Sequence, residues 1–423
     1  MGQQLLAITE TDSFHFYPQF QMKPLTPSTR NSWYLLLFFL FILVGCDNDD
    51  KPVEPIVHKY LVENTLIKEI KKEDILKANP LFTAYVKNNI KVYKVTYKTK
   101  NTDGTEIVAS GAVILPESDQ QHSMISVQHG TITSENQAPS NFADNSEAAT
   151  FGSVFGSMGY IIAYPDYIGY GASKNLPHPY EHRSSLGSAS LDLLRATKEL
   201  LSIQKDTKWD QKLFLAGYSE GGYATLSLQK RIEEEASSEF NLRASSCGAG
   251  AYDKTAFMKE IINNTTHGNA GFNRLYLWVM LSYDRIYQLN KPSSYYFKEP
   301  WAAQITTAAA DPTQVQINTS FNNILTDSFK KALNDGTDQG FIKAVADNDV
   351  FDWKPKTPTR LFHGTDDQLV FYFNSVNAAE AMKKQGSADV QLVPIPGGTH
   401  TDPSTLSAYL LGTLGFFQDP KYK

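Results

Sequence analysis

The chain has 423 residues, 41% of them hydrophobic and 12% aromatic, which is enough to bury one large core or two smaller ones. Its formal net charge of −6 argues against nucleic acid as the main partner. The sequence also has no long block of like charge of the kind that forms an interaction tail.

The N-terminal residues have the pattern of an export signal. Residues 33–44 are twelve consecutive apolar residues, too few for a comfortable transmembrane helix and typical of a signal-peptide core. Lys23 and Arg30 supply the positive charge that precedes such a core. Residues 1–21 carry acidic residues instead, so we interpret 1–45 as a signal peptide in which 1–21 come from a mis-called start.

The end of this segment resembles a bacterial lipobox, Leu43-Val44-Gly45-Cys46, in which the cysteine is freed by cleavage and lipidated. An ordinary signal peptide followed by an unrelated cysteine fits the same residues. We expect 46–60 to form a lipidated tether that holds an exported protein at the outer membrane. Acidic residues after Cys46 also resemble surface-export signals, so the periplasmic face and the cell surface both stay open. Cys247 then has no disulfide partner and is expected to be a small buried hydrophobe.

The folded part begins with a predicted hairpin, 90–97 and 107–115, joined through Asn101-Thr102-Asp103-Gly104. Beyond it, short apolar runs alternate with stretches of helical spacing. The apolar runs are at 124–128, 160–164, 213–216 and 244–249, and the helical stretches are at 184–201 and 223–232. This rhythm predicts βαβ units and a mostly parallel sheet, with any site at the carboxyl ends of the strands.

The rhythm stops between residues 252 and 356, which are helical in pattern and rich in aromatic residues. A second helical domain fits this stretch, but strand signals resume after it, so we predict an inserted cap at 252–356. The core is then divided into 61–251 and 357–423. The later signals are strands at 359–362 and 390–395 and helices at 374–384 and 404–416. Within the cap, Tyr276, Trp278 and Met280 either pack inside it or line a pocket beneath it.

Three polar residues follow predicted strands at equivalent positions. Ser219 lies in the segment Gly217-Tyr218-Ser219-Glu220-Gly221-Gly222 after the run 213–216, while Asp367 and His400 follow the last two predicted strands. Because the carboxyl ends of parallel strands share one edge of a sheet, we expect the three side chains to converge. Their order along the chain, Ser then Asp then His, is the order of an α/β-hydrolase triad.

On these residues the chain resembles an α/β-hydrolase over 90–423. Within that superfamily it is similar to the secretory lipase and esterase group that carries a helical cap. The matching segments are GYSEGG, HGTITSENQAPS (129–140), DYIGYG (166–171), HGTDDQLV (363–370) and GGTH. The resemblance implies a mostly parallel sheet flanked by helices. Since the chain has no Cys/His cluster with metal spacing and no phosphate-binding glycine loop, no cofactor or metal is expected.

In such an enzyme a serine hydroxyl needs an adjacent base before it can attack. His400 is expected to take the proton of Ser219 and return it to the leaving alcohol, while Asp367 fixes the imidazole tautomer and stabilises the imidazolium. One oxyanion donor is the backbone N–H of Glu220, the residue after the nucleophile. The other comes from the loop after the third predicted strand, where we favour the N–H of Thr131 and leave open whether its hydroxyl helps. The role of the Glu220 carboxylate stays open.

Competing assignments exist for the acid and the base. Asp366 is the alternative to Asp367, but acid loops of the form His-Gly-x-x-Asp select the second aspartate. Asp366 is then expected to point away or to cap the following helix. His129 and His363 each precede a glycine at a strand end and are interpreted as loop-shaping, and Asp166 as a structural turn acid.

The resemblance thus implies an exported serine hydrolase that cleaves carboxylic esters through an acyl-enzyme. The expected substrates are small-molecule, lipid or acylated-carbohydrate esters, and membrane contact is expected only through the N-terminal lipid. A catalytically silent hydrolase fold that serves as a surface ligand-binding protein is the alternative.

Overall fold

The computed structural model describes residues 58–308 and 311–422. The predicted signal peptide, Cys46 and the tether up to residue 57 lie outside the described residues. The strands are β1 (Leu61–Ile70), β2 (Ile90–Lys100), β3 (Glu106–Pro116), β4 (Gln121–Gln128), β5 (Ile161–Pro165), β6 (Lys208–Tyr218), β7 (Asn241–Gly248), β8 (Thr359–Gly364) and β9 (Val390–Ile395).

The helices occur in two groups, those packed on the sheet and those between β7 and β8. In chain order they are α1 (Lys72–Ala78), α2 (Ser153–Ser157), α3 (Arg183–Ile203), α4 (Glu220–Glu235), α5 (Lys254–Asn263), α6 (Ala270–Ile286), α7 (Ser293–Tyr296), α8 (Trp301–Ala308), α9 (Phe321–Ile324), α10 (Asp327–Asn334), α11 (Gln339–Asp347), α12 (Phe373–Lys384) and α13 (Pro403–Gln418). Among the residues that the structure describes, no helix is long and apolar enough to cross a membrane.

The strands form one mostly parallel sheet in the order β1-β2-β3-β5-β4-β6-β7-β8-β9. The first three are antiparallel to their neighbours, and the pairs from β5 through β4 to β9 are parallel. The predicted hairpin is confirmed as β2 and β3, whose register runs from Ile90–Pro116 to Lys100–Glu106. The predicted α/β fold, with a mostly parallel sheet flanked by helices, is therefore confirmed.

Strand β1 was missing from the sequence prediction. It pairs with β2 at the edge of the sheet, and only Leu61 among its residues is buried. Val62, Leu66 and Ile67 remain 49%, 44% and 37% exposed, so the strand has no alternating apolar pattern. Its presence makes the strand before His129 the fourth along the chain instead of the third.

Helices cover both faces of the sheet, and β6 demonstrates this best. Leu213 and Leu215 of β6 pack in the cluster that holds buried leucines of α3 and α4. The alternate residues, Phe214 and Ala216, pack with residues of α2 and α13. Because successive side chains of a strand point to opposite faces, β6 is buried on both sides and positions its carboxyl end rigidly.

The helices α5 to α11 form a layer of their own between β7 and β8, which we call the cap. Its residues bury a large aromatic cluster that includes Tyr283, Tyr296, Phe321 and Phe341. The cap is thus a packed body joined to the core between two neighbouring parallel strands. This connection places it beside the carboxyl edge where those strands end.

Candidate active site

Ser219 follows β6 directly and precedes α4, at a sharp strand-to-helix turn. Its backbone has φ 61° and ψ −125°, a conformation that is strained for any residue with a side chain. The neighbouring glycines serve close packing: a Cβ on Gly221 would lie 2.0 Å from the carbonyl oxygen of Gln128, and one on Gly217 would lie 2.3 Å from that of Gly221. The strain therefore falls on Ser219 itself, as at a nucleophile elbow.

The structure brings Ser219, His400 and Asp367 together through two hydrogen bonds. Nε2 of His400 lies 2.8 Å from Oγ of Ser219, and Nδ1 of His400 lies 2.6 Å from Oδ2 of Asp367. His400 is 4% and Asp367 5% exposed, so the hydrogen bond between them is shielded from water, whereas Ser219 is only partly buried. With the Nδ1–H donating to the carboxylate, Nε2 is free to accept the serine proton.

Asp367 is held as a charged acceptor from several directions. Its Oδ1 accepts the backbone N–H groups of Leu369 and Val370, each at 2.9 Å. Its Oδ2 also lies 3.3 Å from Nε2 of His363. Burial opposes the charged form, but hydrogen bonds and electrostatic attraction from His363 and His400 lower the pKa of Asp367 to about 2.

The neighbouring aspartate has a different environment. Asp366 is exposed, and its backbone N–H donates to the carbonyl of Gly398. Within the described part of the chain, its side chain accepts only from the Thr365 hydroxyl. It does not cap the next helix, because α12 begins at Phe373. The hydrogen bonds therefore single out Asp367 of the two candidates.

The loop that carries His400 is fixed at both ends. The hydroxyl of Tyr218, the residue before Ser219, donates to the carbonyl oxygen of His400 at 2.8 Å. Asp402 caps α13 by accepting the backbone N–H of Thr405 and also accepts the N–H of Thr399. These contacts hold the imidazole over the serine without using either ring nitrogen.

Two backbone N–H groups beside the serine are available as donors. Glu220 is the first residue of α4 and Thr131 lies in the loop after β4, and within the described residues neither N–H has an acceptor. A Cβ on Gly130 would lie 3.8 Å from Cβ of Ser219, which places this loop against the elbow. The N–H of Gly130 itself donates to Glu147 at 3.1 Å, which leaves the next N–H along the chain for an oxyanion.

Contacts with the cap reach this loop through aromatic side chains. The Thr131 hydroxyl lies 2.7 Å from the Tyr180 hydroxyl, and the Tyr180 ring stacks on Trp278 of α6 at 4.5 Å. Of the three cap residues considered from sequence, Tyr276 and Met280 are buried in the aromatic cluster of the cap, whereas Trp278 is only partly buried. Trp278 thus contacts the loop side of the site through Tyr180, while the Tyr276 hydroxyl donates to the carbonyl of Leu369, close to Asp367.

The remaining candidates serve the surrounding loops. Nδ1 of His129 bonds to the carbonyl of Gly130 at 2.7 Å, and Asp166 accepts from Ser110 and from the N–H of Ser140. His363 bonds to Ser375 and to the Val370 carbonyl. Cys247 is fully buried in β7, where burial raises the pKa of its thiol to about 12. In the part of the chain described, no cluster of His, Cys, Asp or Glu is arranged to hold a metal ion.

Two residues of the site were missed from sequence. His178 lies in the loop between β5 and α3, and its Nε2 is 3.0 Å from the carboxylate of Glu220. Glu147 holds the Gly130 N–H and also accepts the Tyr164 hydroxyl. His178 precedes Glu220 by 42 residues and no motif links the two, so only the fold reveals the contact.

Comparisons with known proteins identify the family and the fold of the chain. The model of the secretory lipase family matches residues 152–409, a range that contains Ser219, Asp367 and His400. A Legionella pneumophila protein described as a hydrolase is 25% identical, with a TM-score of 0.75 over 86% of this chain and 99% of its own.

Two further solved structures share the fold. The rice cell wall degrading esterase LipA from Xanthomonas oryzae is 23% identical, with a TM-score of 0.72 over 86% of this chain and 99% of its own. Candida antarctica lipase A in its closed state is 15% identical, with a TM-score of 0.61 over 85% of this chain and 81% of its own. No curated protein matches the sequence. Because the family model covers more than half of the 423 residues, the chain belongs to the secretory lipase family and is a carboxylic ester hydrolase of α/β-hydrolase fold.

Proposed function

We propose that the protein cleaves carboxylic esters through an acyl-enzyme on Ser219, with His400 as general base and acid and Asp367 as its orienting carboxylate. The observation that carries the proposal is the unbroken series of hydrogen bonds from Ser219 Oγ through His400 to Asp367. The strained elbow that exposes Ser219 supports the same role.

The chemistry follows in two steps. Oγ of Ser219 bonds to the acyl carbon while its proton passes to Nε2 of His400, and the alcohol leaves with that proton as the ester C–O bond breaks. Water then gives its proton to His400 and bonds to the acyl carbon, and Oγ of Ser219 regains a proton as its own bond to carbon breaks. The products are a carboxylic acid and an alcohol.

The tetrahedral intermediates carry a negative oxygen that needs donors fixed in advance. The backbone N–H groups of Glu220 and Thr131 fill this role in the proposal, because both lack other acceptors in the described residues and both lie beside the serine. The Glu220 N–H also belongs to the first turn of α4, where the helix dipole favours negative charge. Loss of one such donor costs about 3–4 kcal/mol of transition-state stabilisation in related chemistry.

The location of the enzyme is also part of the proposal. The family is described as secretory, which agrees with export. We propose that Cys46 is lipidated and tethers the enzyme at the outer membrane, with no other membrane contact. Metabolic labelling with an alkyne fatty acid tests this, because Cys46→Ser should lose the label while Cys247→Ser keeps it.

The decisive experiment combines covalent labelling with ester hydrolysis. Wild type should label with a fluorophosphonate probe and hydrolyse p-nitrophenyl esters, and Ser219→Ala should lose both. Equal labelling of wild type and Ser219→Ala would leave only a silent hydrolase fold that binds ligands. A chain-length series, with acetylated xylan as a further substrate, separates the ester classes: cleavage of acetate alone would exclude a lipase, and cleavage of xylan acetate would favour acylated carbohydrates.

A further inference from the structure

A second histidine–carboxylate pair lies directly beside the proposed triad. Nε2 of His178 is 3.0 Å from Oε1 of Glu220, and Nδ1 of His178 is 2.6 Å from the carbonyl oxygen of Ile168. His178 is 7% and Glu220 2% exposed, so the pair is withdrawn from water. Glu220 follows Ser219 in the chain, and its own N–H is the proposed oxyanion donor.

The partners of His178 fix how many protons the pair holds. A carbonyl oxygen can only accept, so Nδ1 must carry a hydrogen. A single further proton then lies between Nε2 and the Glu220 carboxylate, either as imidazolium with carboxylate or as neutral imidazole with carboxylic acid. In both forms the two side chains together carry no net charge.

This neutrality matters because of where Glu220 lies. Its backbone N–H points a positive partial charge at the developing oxyanion, while an unpaired carboxylate on the same residue would repel it in a medium of low dielectric. The proton shared with His178 cancels that repulsion. The same hydrogen bond holds the side chain of the first residue of α4 and so fixes the direction of its N–H.

The cap secures His178 from the other side. The Trp278 ring packs edge-on against the imidazole at 5.5 Å, and Arg285, also on α6, donates to the His178 carbonyl at 2.9 Å. A second buried pair, Lys254 with Glu181, lies nearby, and its two side chains bond to each other. It therefore leaves His178 as the partner of Glu220 among the described residues.

We propose that His178 is a positioning residue for ester hydrolysis: it neutralises Glu220 and thereby keeps the Glu220 N–H effective as an oxyanion donor. This inference rests on the proposed acyl-enzyme mechanism. It predicts an effect on the transition state and little effect on substrate binding, because the charge develops only after attack.

The test is a double-mutant cycle on a p-nitrophenyl ester. His178→Ala strands a carboxylate beside the oxyanion, and we expect kcat to fall by about 30- to 100-fold with KM changed less than about threefold. Glu220→Gln removes the carboxylate and keeps a neutral pair, since its amide can donate to Nε2, so kcat should fall less than in His178→Ala. In the double variant His178→Ala/Glu220→Gln the charge is gone, so kcat should recover to within about tenfold.

A boronic acid inhibitor gives the second measurement, because its adduct with the serine mimics the tetrahedral intermediate. Its inhibition constant should rise for His178→Ala by the same factor by which kcat falls, and recover in the double variant. His182→Ala is the matched control, since His182 is also buried in this region and, among the described residues, its ring nitrogens bond to Ser185. It should retain the wild-type kcat.

The outcomes separate this inference from the proposed function. If Ser219→Ala keeps the wild-type rate, the acyl-enzyme mechanism itself fails. If Ser219→Ala is inactive but His178→Ala keeps its kcat, only the role of His178 is overturned. An equal loss in His178→Ala and in the double variant, with no recovery, would reduce His178 to packing and overturn the charge argument.

Discussion

The two histidine–carboxylate pairs that flank the nucleophile are alike in makeup and differ in their third partner. His400 with Asp367 and His178 with Glu220 are both buried, with N to O distances of 2.6 and 3.0 Å. The nitrogen of His400 that does not face its carboxylate, Nε2, bonds to the Ser219 hydroxyl, which can release a proton. The corresponding nitrogen of His178, Nδ1, bonds to a backbone carbonyl, which has no proton to release. The partner of the second nitrogen therefore decides whether the histidine of a pair can exchange a proton with that partner.

The pairs also differ in what holds them. The first is built from loops that follow neighbouring strands β8 and β9, so the sheet fixes its geometry. The second joins the start of α4 to the loop of His178, which Trp278 and Arg285 of the cap helix α6 contact. The first pair is therefore positioned by the edge of the sheet, and the second is positioned partly by the cap.

Breaking the first pair at its histidine should have the largest effect. His400→Ala removes the group that takes the Ser219 proton, and residues of a triad act as a unit, so we expect kcat to fall on the order of 10⁶-fold. Steady-state hydrolysis of a p-nitrophenyl ester measures this. A loss of less than about 100-fold would contradict the role of His400, whereas the variant should still bind substrate with a near-normal dissociation constant.

Removing the charge of the first pair should cost less than removing its base. Asp367→Asn leaves the imidazole in the wrong tautomer, and we expect kcat to fall by about 10⁴-fold. Asp366→Asn is the matched control because Asp366 is exposed and one position away, and it should stay within about twofold of wild type. The reverse pattern, with Asp366→Asn inactive, would move the acid to the other aspartate.

The Asp367 carboxylate should also affect the free energy of unfolding at acid pH. The folded-state pKa of Asp367 is about 2 and the ordinary pKa of an aspartate is 3.8, so its charged form stabilises the fold above about pH 4. That contribution, about 2 kcal/mol, is lost as the pH falls from about 4 towards 2. In urea unfolding at pH 5, 4, 3 and 2, the stability difference between wild type and Asp367→Asn should shrink over this window. A difference that stays constant would show that Asp367 is not a stabilised anion.

The contrast between the pairs also explains what the sequence could reveal. Ser219, Asp367 and His400 each follow an apolar run that ends at the sheet edge, so local patterns place them together. Glu220 and His178 meet only because a loop after β5 folds back over α4, and no periodicity encodes that contact. The edge strand β1 was hidden for a similar reason, because it is exposed along most of its length and lacks an apolar alternation.

The smallest effect on kcat should come from the Thr131 hydroxyl, on the side of the proposed oxyanion site opposite Glu220. Thr131→Val removes the hydroxyl that bonds to Tyr180 but keeps the backbone N–H, so kcat should change by less than about threefold. Tyr180→Phe removes the same bond from its other end and should behave alike, which makes the two a matched pair. A loss of 100-fold or more in Thr131→Val alone would mean that the hydroxyl donates to the oxyanion. The two backbone N–H groups would then not be the only donors to the oxyanion. The Glu220 N–H, and the neutral pair that supports it, would contribute a smaller share of the stabilisation.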